Sequence, residues 1–203
     1  MTEDEKRIHI NNLKTALLNV APEYFGIPAI QCQIHLNERA FAYELYHQLR
    51  MIYNGYNYYV NGELRKALTF LPNYQLDKTL IPDLVVHQHL TTDNNLIAIE
   101  IKSDPNVTGP KLIEDLEKLE IYTRPGVEHL NYHIGILLVT NCNFQKKLLK
   151  MRDENRKRIF EFLDFERIAI WNINIPVPLE DTGTRIRLKE DCLNIIKRNN
   201  IEN

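Results

Sequence analysis

The sequence has little of what marks secreted, membrane-spanning or modular proteins. Its three cysteines, Cys32, Cys142 and Cys192, are odd in number and far apart, so they form neither a disulfide framework nor a zinc-ligand pattern. No apolar run reaches the length of a membrane span, and we expect no membrane partner. The first residues, MTEDEKRIHI, are polar and acidic and unlike a secretory signal, so a cytoplasmic location is expected.

Repeats, low-complexity tracts and Gly/Ser-rich linkers are also missing, which favours one domain over all 203 residues. The hydrophobic fraction of 44% and the charged fraction of 26% are those of a globular protein with its own core. A net charge of −2 is low for a protein that coats nucleic acid through charge alone. It does not exclude an enzyme that contacts phosphates locally, so the charge leaves a nucleic-acid partner open.

The hydrophobic pattern predicts an α/β protein in which a central mixed sheet is flanked by helices on both faces. The predicted helices are residues 8–20, 37–50, 111–122 and 143–164, and the predicted strands are 56–60, 81–88, 96–103, 133–141 and 167–174. Residues 64–71 follow the hairpin signal Asn61-Gly62 and are either a return strand or a short helix. We expect a core at about 37–141, elaborated by the first helix and by residues 143–203, with a final helix in the tail from 175 onward.

The stretch LIAIEIKSD, residues 96–104, places two charged side chains inside an apolar run. Because strand residues alternate between faces, the three isoleucines share one face, which is predicted to be packed. Leu96, Ala98, Glu100 and Lys102 share the other face. That face becomes polar toward its carboxyl end, where crevices on open α/β sheets commonly lie. Glu100 and Lys102 are therefore predicted to be neighbours on one surface.

Two further carboxylates are expected near this pair. Asp83 follows Pro82 at the start of the preceding strand, and an antiparallel hairpin across TTDNN would place it near Glu100 and Lys102. Glu38 opens the apolar stripe of the helix at 37–50, and a glutamate in line with core residues needs a partner. Two carboxylates converging near one lysine suit a hard divalent cation, since Mg²⁺ binds one or two carboxylates together with waters and phosphate oxygens.

These residues resemble the PD-(D/E)xK nuclease superfamily, whose members are restriction-endonuclease-like. Pro82-Asp83 matches the PD half of the motif, Glu100-Ile101-Lys102 matches the ExK half, and Glu38 matches the additional helix carboxylate of the family. The predicted order of helix, three strands, helix and strand (αβββαβ) is also the order of the family's three-layer core. The resemblance covers roughly residues 37–141 and indicates no subgroup.

The resemblance implies a Mg²⁺-dependent nuclease that hydrolyses phosphodiester bonds, with Mn²⁺ as a substitute ion and DNA as the expected substrate, in restriction, defence or repair. Asp83, Glu100 and the backbone carbonyl of Ile101 would bind the ion, and Lys102 would position the attacking water or stabilise the transition state. Glu38 would hold a second ion or a water molecule of the first. Cleavage of both strands of a duplex would need two sites, which a homodimer would supply.

The helix at 111–122 carries a polar stripe beside its leucines, formed by Lys111, Asp115, Lys118 and Tyr122. Several branches of the superfamily carry a Gln and a Tyr four residues apart in this helix, where they assist the site and the DNA backbone. Lys118 and Tyr122 have that spacing here, with Lys in place of Gln. The resemblance thus implies that Lys118 and Tyr122 contact nucleic acid, and Lys111 of the same polar stripe is expected to do so as well.

Other interpretations of the same residues stay open at the level of sequence. The charged group could be a structural ion pair at the end of the sheet, and Glu38 could be a first-turn residue favoured by the helix dipole. The fold could serve as a non-catalytic nucleic-acid-binding or assembly module, or as a hydrolase of small phosphate esters. Tyr53, Tyr56, Tyr58 and Tyr59 suit base stacking, but they equally suit a half-exposed strand face. The basic residues within 146–158 suit phosphate contact or a solvated helix face.

Overall fold

The computed structural model describes residues 1–25, 27–28, 34–35, 38–63, 81–88, 94–126, 130–163, 166–173 and 193–196. For residues 27–28, 34–35 and 193–196 it describes the backbone alone. Within these ranges, no helix is both long enough and apolar enough to cross a membrane.

The first helix, α1, spans Glu3–Asn19 and begins before the predicted residue 8. Thr2 and Glu5 explain the earlier start, because they form a capping box in which the Thr2 side chain accepts from the Glu5 amide. The Glu5 carboxylate in turn accepts from the Thr2 amide at 2.7 Å. The helix ends before Pro22, as predicted. A short 3-10 helix (Pro22–Tyr24) and two short antiparallel strands, β1 (Ile27–Pro28) and β2 (Ile34–His35), follow.

The second helix, α2, spans Glu38–Tyr53 and confirms the helix predicted at 37–50, with one further turn at its end. Its buried residues are Phe41, Leu45, Leu49 and Tyr53, a spacing of four that forms one apolar stripe. Asn37, the expected N-cap, lies outside the described residues. The first strand of the main sheet, β3, follows at Tyr59–Gly62.

The remaining elements alternate between strands and helices. They are β4 (Leu84–His87), β5 (Asn95–Lys102), α3 (Gly109–Thr123), β6 (Ile134–Thr140), α4 (Phe144–Lys150), α5 (Asp153–Leu163), β7 (Ile168–Ile173) and β8 (Leu193–Ile196). Among the described residues, the strands from β3 to β8 form a six-stranded sheet in sequence order. Its central strands β5, β6 and β7 run parallel, whereas the neighbours at both edges are antiparallel. The predicted α/β class and mixed sheet are therefore confirmed.

Two apolar clusters cover the two faces of the sheet. Ile97, Ile99 and Ile101 of β5 pack into one cluster with residues of α1 and α2. Ala98 of the same strand packs into the other cluster, which contains residues of α3, α4 and α5. Successive β5 residues thus face opposite helical layers, as the period of two predicts.

The predicted hairpin turn at Asn61-Gly62 is wrong. Both residues belong to β3, where they pair with Val85 and Leu84 of β4. Long-range pairing between the two strands therefore overrides the local turn signal. The residues proposed as a return strand or short helix, 64–71, lie outside the described residues.

The helix predicted at 143–164 is also wrong as a single element, because α4 and α5 are separate helices. The backbone is extended at Met151, with φ −73° and ψ 155°. Asp153 and Glu154 stand in the first turn of α5, where the helix dipole favours negative charge. In the tail, the expected final helix is contradicted at 193–196, since β8 pairs there with β7.

The alternation predicted that Leu96 and Ala98 share one face of the sheet, and this prediction is wrong. Val86 pairs with Ile97 while His87 pairs with Asn95, so Leu96 is the extra residue of a β-bulge. The bulge turns Leu96 toward the cluster on the α1 and α2 side. Downstream of it, the alternation continues without a break into Glu100 and Lys102.

Candidate active site

The register between β4 and β5 brings Asp83 to the carboxyl end of β5. Leu84 pairs with Ile99, so Asp83, one residue earlier, comes level with Glu100 on the neighbouring strand. The Asp83 carboxylate oxygen Oδ2 accepts a hydrogen bond from the Ile101 amide at 2.7 Å. Burial raises the pKa of Asp83, and this bond partly opposes the rise. The hairpin predicted from the sequence therefore holds Asp83 in a fixed position.

Glu100 is buried at the centre of this group, with 2% of its surface exposed. Its Oε1 atom has no hydrogen-bond partner among the described residues, and its Oε2 atom lies 3.8 Å from the Nζ atom of Lys118. Burial, and after it the charge of Asp83, raises the pKa of Glu100 to about 8. The two carboxylates are therefore close enough to repel each other, and their negative charge is incompletely compensated.

Glu38 reaches the same end of β5 from α2, which packs on the face of the sheet opposite to α3. It is the first residue of α2, and its Oε2 atom accepts a hydrogen bond from the Ser103 amide at 3.0 Å. The charge of Glu38 contributes to the raised pKa of Asp83 and to that of Lys102. The carboxylate predicted from the helix stripe thus lies within the electrostatic field of the other groups.

Lys102 is held by Asp115 of α3, whose Oδ2 atom lies 3.2 Å from the Lys102 Nζ atom. Lys102 also donates to the carbonyl oxygen of Ile101 at 3.0 Å. Burial lowers the pKa of Lys102, but the charges of Asp115, Glu38 and Asp83 outweigh burial and raise the pKa above its ordinary value. Lys102 therefore stays charged in the folded protein.

The polar stripe of α3 is only partly directed at the site. Lys118 donates to the Oδ1 atom of Asp115 at 2.8 Å, so Asp115 bridges Lys118 and Lys102. Tyr122 is buried, and burial together with the charges of Glu100 and Asp83 raises the pKa of its hydroxyl, which stays protonated. Lys111 is exposed on the same helix. The structure thus brings Lys118 and Tyr122 to Glu100 and leaves Lys111 at the surface.

A cleft of about 400 Å³ opens onto the site between α2 and the ends of β3 and β4. Glu38, Asp83 and Ile101 line this cleft, together with Arg39 and Tyr43 of α2. A phosphate group in this cleft would therefore meet Asp83 and Glu38 directly, with Glu100 buried beside them.

The donor set suits an ion that takes few protein ligands. Within the described ranges, no group of three or more His, Cys, Asp or Glu residues could hold a metal ion by itself. The carboxylates of Asp83 and Glu100 lie close enough for the charge of Asp83 to raise the pKa of Glu100, and the Oε1 atom of Glu100 has no hydrogen-bond partner among the described residues. Mg²⁺ accepts such a pair, since water and phosphate oxygens complete its six ligands. No family model, curated protein or solved structure matches the chain.

Asp115 is the residue of the site that the sequence did not mark as functional. It lies in the predicted polar stripe of α3, but a stripe does not show which strand the helix packs against. Its burial and its contacts with both lysines depend on the packing of α3 against β5. The available signal was the spacing of Asp115, three residues after Leu112 and four before Leu119, which resembles the signal that marked Glu38.

Proposed function

We propose that this protein is a metal-dependent nuclease of the PD-(D/E)xK type, which hydrolyses phosphodiester bonds and has DNA as its expected substrate. The observation that carries the proposal is that Asp83 lies level with Glu100 at the end of β5, where the charges of Asp83, Glu100 and Lys102 act on one another and Asp83 lines an open cleft. A purely structural ion pair would match its charges. Here one oxygen of Glu100 is left unpaired within the described part of the chain, and the pKa of Glu100 is raised to about 8. Perturbed carboxyl groups of this kind concentrate at functional sites.

The chemistry divides between a cation and the side chains. Asp83 and Glu100 would hold a divalent cation, which when bound would supply charge neutralisation at the scissile phosphate and a lowered pKa of a water molecule. Lys102, kept charged by Asp115, supplies positive charge where negative charge develops on the phosphate. The hydrogen bonds of Asp83 and Glu38 to backbone amides restrict the rotation of both carboxylates. Glu38, on the cleft wall, can then orient a water molecule beside the phosphate.

The α3 side chains support this arrangement from behind. Lys118 opposes the rise in the pKa of Glu100 and so favours the charged form that binds a cation. Tyr122 keeps its proton, because burial and the nearby carboxylates raise the pKa of its hydroxyl, and this hydroxyl has no hydrogen-bond partner among the described residues. Lys118 therefore acts on the site through its contact with Glu100, and Tyr122 lies near Glu100 as a protonated hydroxyl.

The test is a cleavage assay with plasmid, linear duplex, single-stranded DNA and RNA, in Mg²⁺ or Mn²⁺. We expect cleavage that requires the ion and stops when a chelator is added. Lys102→Ala and Asp83→Ala should each lower the cleavage rate by at least about 10²-fold. Lys146→Ala, which changes an exposed lysine of α4, is the matched control and should cleave like the wild type.

Circular dichroism of each variant would establish that the fold is retained. Cleavage that survives both substitutions would mean that these residues do not carry the reaction. Failure of the wild type to cut any of the four substrates would instead favour a non-catalytic module.

A further inference from the structure

A stripe of aromatic and basic side chains leads away from the proposed active site along α2. Arg39, Tyr43, Tyr46 and Arg50 are spaced four, three and four residues apart, which places them on one face of the helix. The stripe lies beside the buried stripe of Phe41, Leu45 and Leu49. Tyr46 is half-buried and packs against that core, whereas Arg39, Tyr43 and Arg50 are exposed. Arg39, Tyr43 and Tyr46 line the same cleft as Glu38 and Asp83.

Each tyrosine of this stripe has an arginine one turn away. Tyr43 is 70% exposed and follows Arg39 by four residues. Arg50 donates to the Tyr46 hydroxyl at 3.1 Å, and its guanidinium lies 5.8 Å from the centroid of that ring. The side chains therefore place two rings between two positive charges along the helix, not a continuous apolar patch.

A second cleft, of about 240 Å³, lies at the far end of the stripe. Its lining includes Arg50, Tyr56 and Tyr59, and the two tyrosines are 50% and 51% exposed. Both α2 and β3 contribute to the two clefts: Gly62 lines the first, and Tyr59 lines the second. Both clefts thus lie along the junction between α2 and β3, which we call the seam. From Arg39 to Arg50 the helix rises by about 16 Å.

We propose that this seam binds single-stranded nucleic acid and guides it into the active site, an inference that rests on the proposed nuclease function. Unpaired bases stack on exposed aromatic rings, while arginines contact the phosphates between them. A duplex keeps its bases stacked on each other and could not use the tyrosines in this way. Because the whole chain has a net charge of −2, stacking rather than overall charge would supply much of the affinity.

The test measures binding separately from cleavage, in a chelator that prevents metal-dependent cutting. Fluorescence anisotropy would follow labelled oligothymidine and oligouridine of about 12 nucleotides, within the usual size of such sites, and a duplex of the same length. We expect the wild type to prefer the single strands. Tyr43→Ala and Tyr59→Ala should each weaken binding about tenfold, the effect of losing one base-stacking contact.

Two further variants separate stacking from general effects of substitution. Tyr43→Phe keeps the ring and should recover most of the binding lost in Tyr43→Ala. Met51→Ala changes a side chain that is 61% exposed on the same helix but off the stripe, and it should bind like the wild type. The comparison of oligothymidine with oligouridine distinguishes DNA from RNA as the source of the strand.

The outcomes for the seam and for the nuclease are distinguishable. A preference for duplex, an absence of oligonucleotide binding, or full binding by both alanine variants would overturn the seam, whatever the protein cleaves. Tyrosine-dependent self-association without oligonucleotide binding would assign the surface to a second copy of the chain and overturn the seam as well. Tyrosine-dependent binding with no cleavage of any substrate would support the seam and contradict the nuclease.

Discussion

The Oδ2 atom of Asp115 in α3 lies 3.2 Å from the Nζ atom of Lys102 at the end of β5. The other carboxylate oxygen of Asp115 binds Lys118 at 2.8 Å. One buried aspartate therefore fixes two lysines at the proposed site, and it raises the pKa of Lys102 against the opposing effect of burial. Asp115 acts on the chemistry through Lys102, as a positioning residue.

Substitution of Asp115 by asparagine should impair catalysis and shift its pH dependence. Asp115→Asn would keep the shape of the side chain but remove its charge, so the pKa of Lys102 would fall. We expect the cleavage rate to drop about tenfold or more, with little change in substrate affinity. Since Lys102 would then lose its proton at lower pH, the alkaline limb of the pH–rate profile should move to lower pH. Glu117→Gln, an exposed change on α3, is the control. An unmoved alkaline limb would contradict the assigned role.

Glu100 should make the stability of the metal-free protein depend on pH. Its pKa rises from 4.5 to about 8 on folding, so the folded state binds more protons between these values. The contribution of Glu100 to the free energy of unfolding is therefore fully present below about pH 4.5 and is lost as the pH rises through about 8. Glu100→Gln should remove this loss and be more stable than the wild type at pH 9, by on the order of 2 kcal/mol. Urea unfolding at pH 5 and pH 9 in a chelator measures both. A wild-type stability that rises toward pH 9 would refute the prediction.

A divalent cation should stabilise the folded wild type. An ion that binds only the folded state contributes about 2.7 kcal/mol at one hundred times its dissociation constant. We expect Mg²⁺ or Mn²⁺ to raise the unfolding temperature in a concentration-dependent way. In Asp83→Asn the shift should disappear, because one of the two acidic ligands has been lost. An equal shift in both proteins would place the ion elsewhere.

Gly135 in β6 allows α3 to pack closely on the sheet. A Cβ atom at this position would lie 3.0 Å from Cγ2 of Thr123 and 3.2 Å from Cβ of Leu119. Gly135→Ala should therefore push α3 outward and lower the free energy of unfolding by about 1–3 kcal/mol. Gly62→Ala is the control, because its Cβ would meet its nearest neighbour at an ordinary 3.5 Å. Chemical denaturation of both variants measures the difference, and equal stabilities would show that the helix can yield.

Several elements could be predicted from sequence because their signals are local. The strand expected at 96–103 is Asn95–Lys102, and the helix expected at 111–122 is Gly109–Thr123. In both cases the period of the apolar residues identifies the element and its buried face. The positions of Asp83 and Glu38 could also be predicted from the sequence, because the strand register and the apolar stripe of the helix each constrain where a side chain points.

Features that depend on distant contacts were not accessible in this way. Asp115 meets its lysine partners only when α3 packs against β5. The seam forms only when α2 packs beside β3. Asn61 resembles a turn residue until β4 is present to pair with it. The break at Met151 and the strand β8 likewise lack a local signal strong enough to exceed the helical pattern around them.

The hydrogen bond from the Ile101 amide to Asp83 links the two strands at the point where their carboxylates meet. A slip of β4 by one residue would turn Asp83 to the opposite side of the sheet and away from Glu100. Any activity that needs both carboxylates would then be absent from every misaligned molecule. The specific activity of a refolded preparation would therefore be proportional to the fraction of molecules in which β4 and β5 pair in the native register.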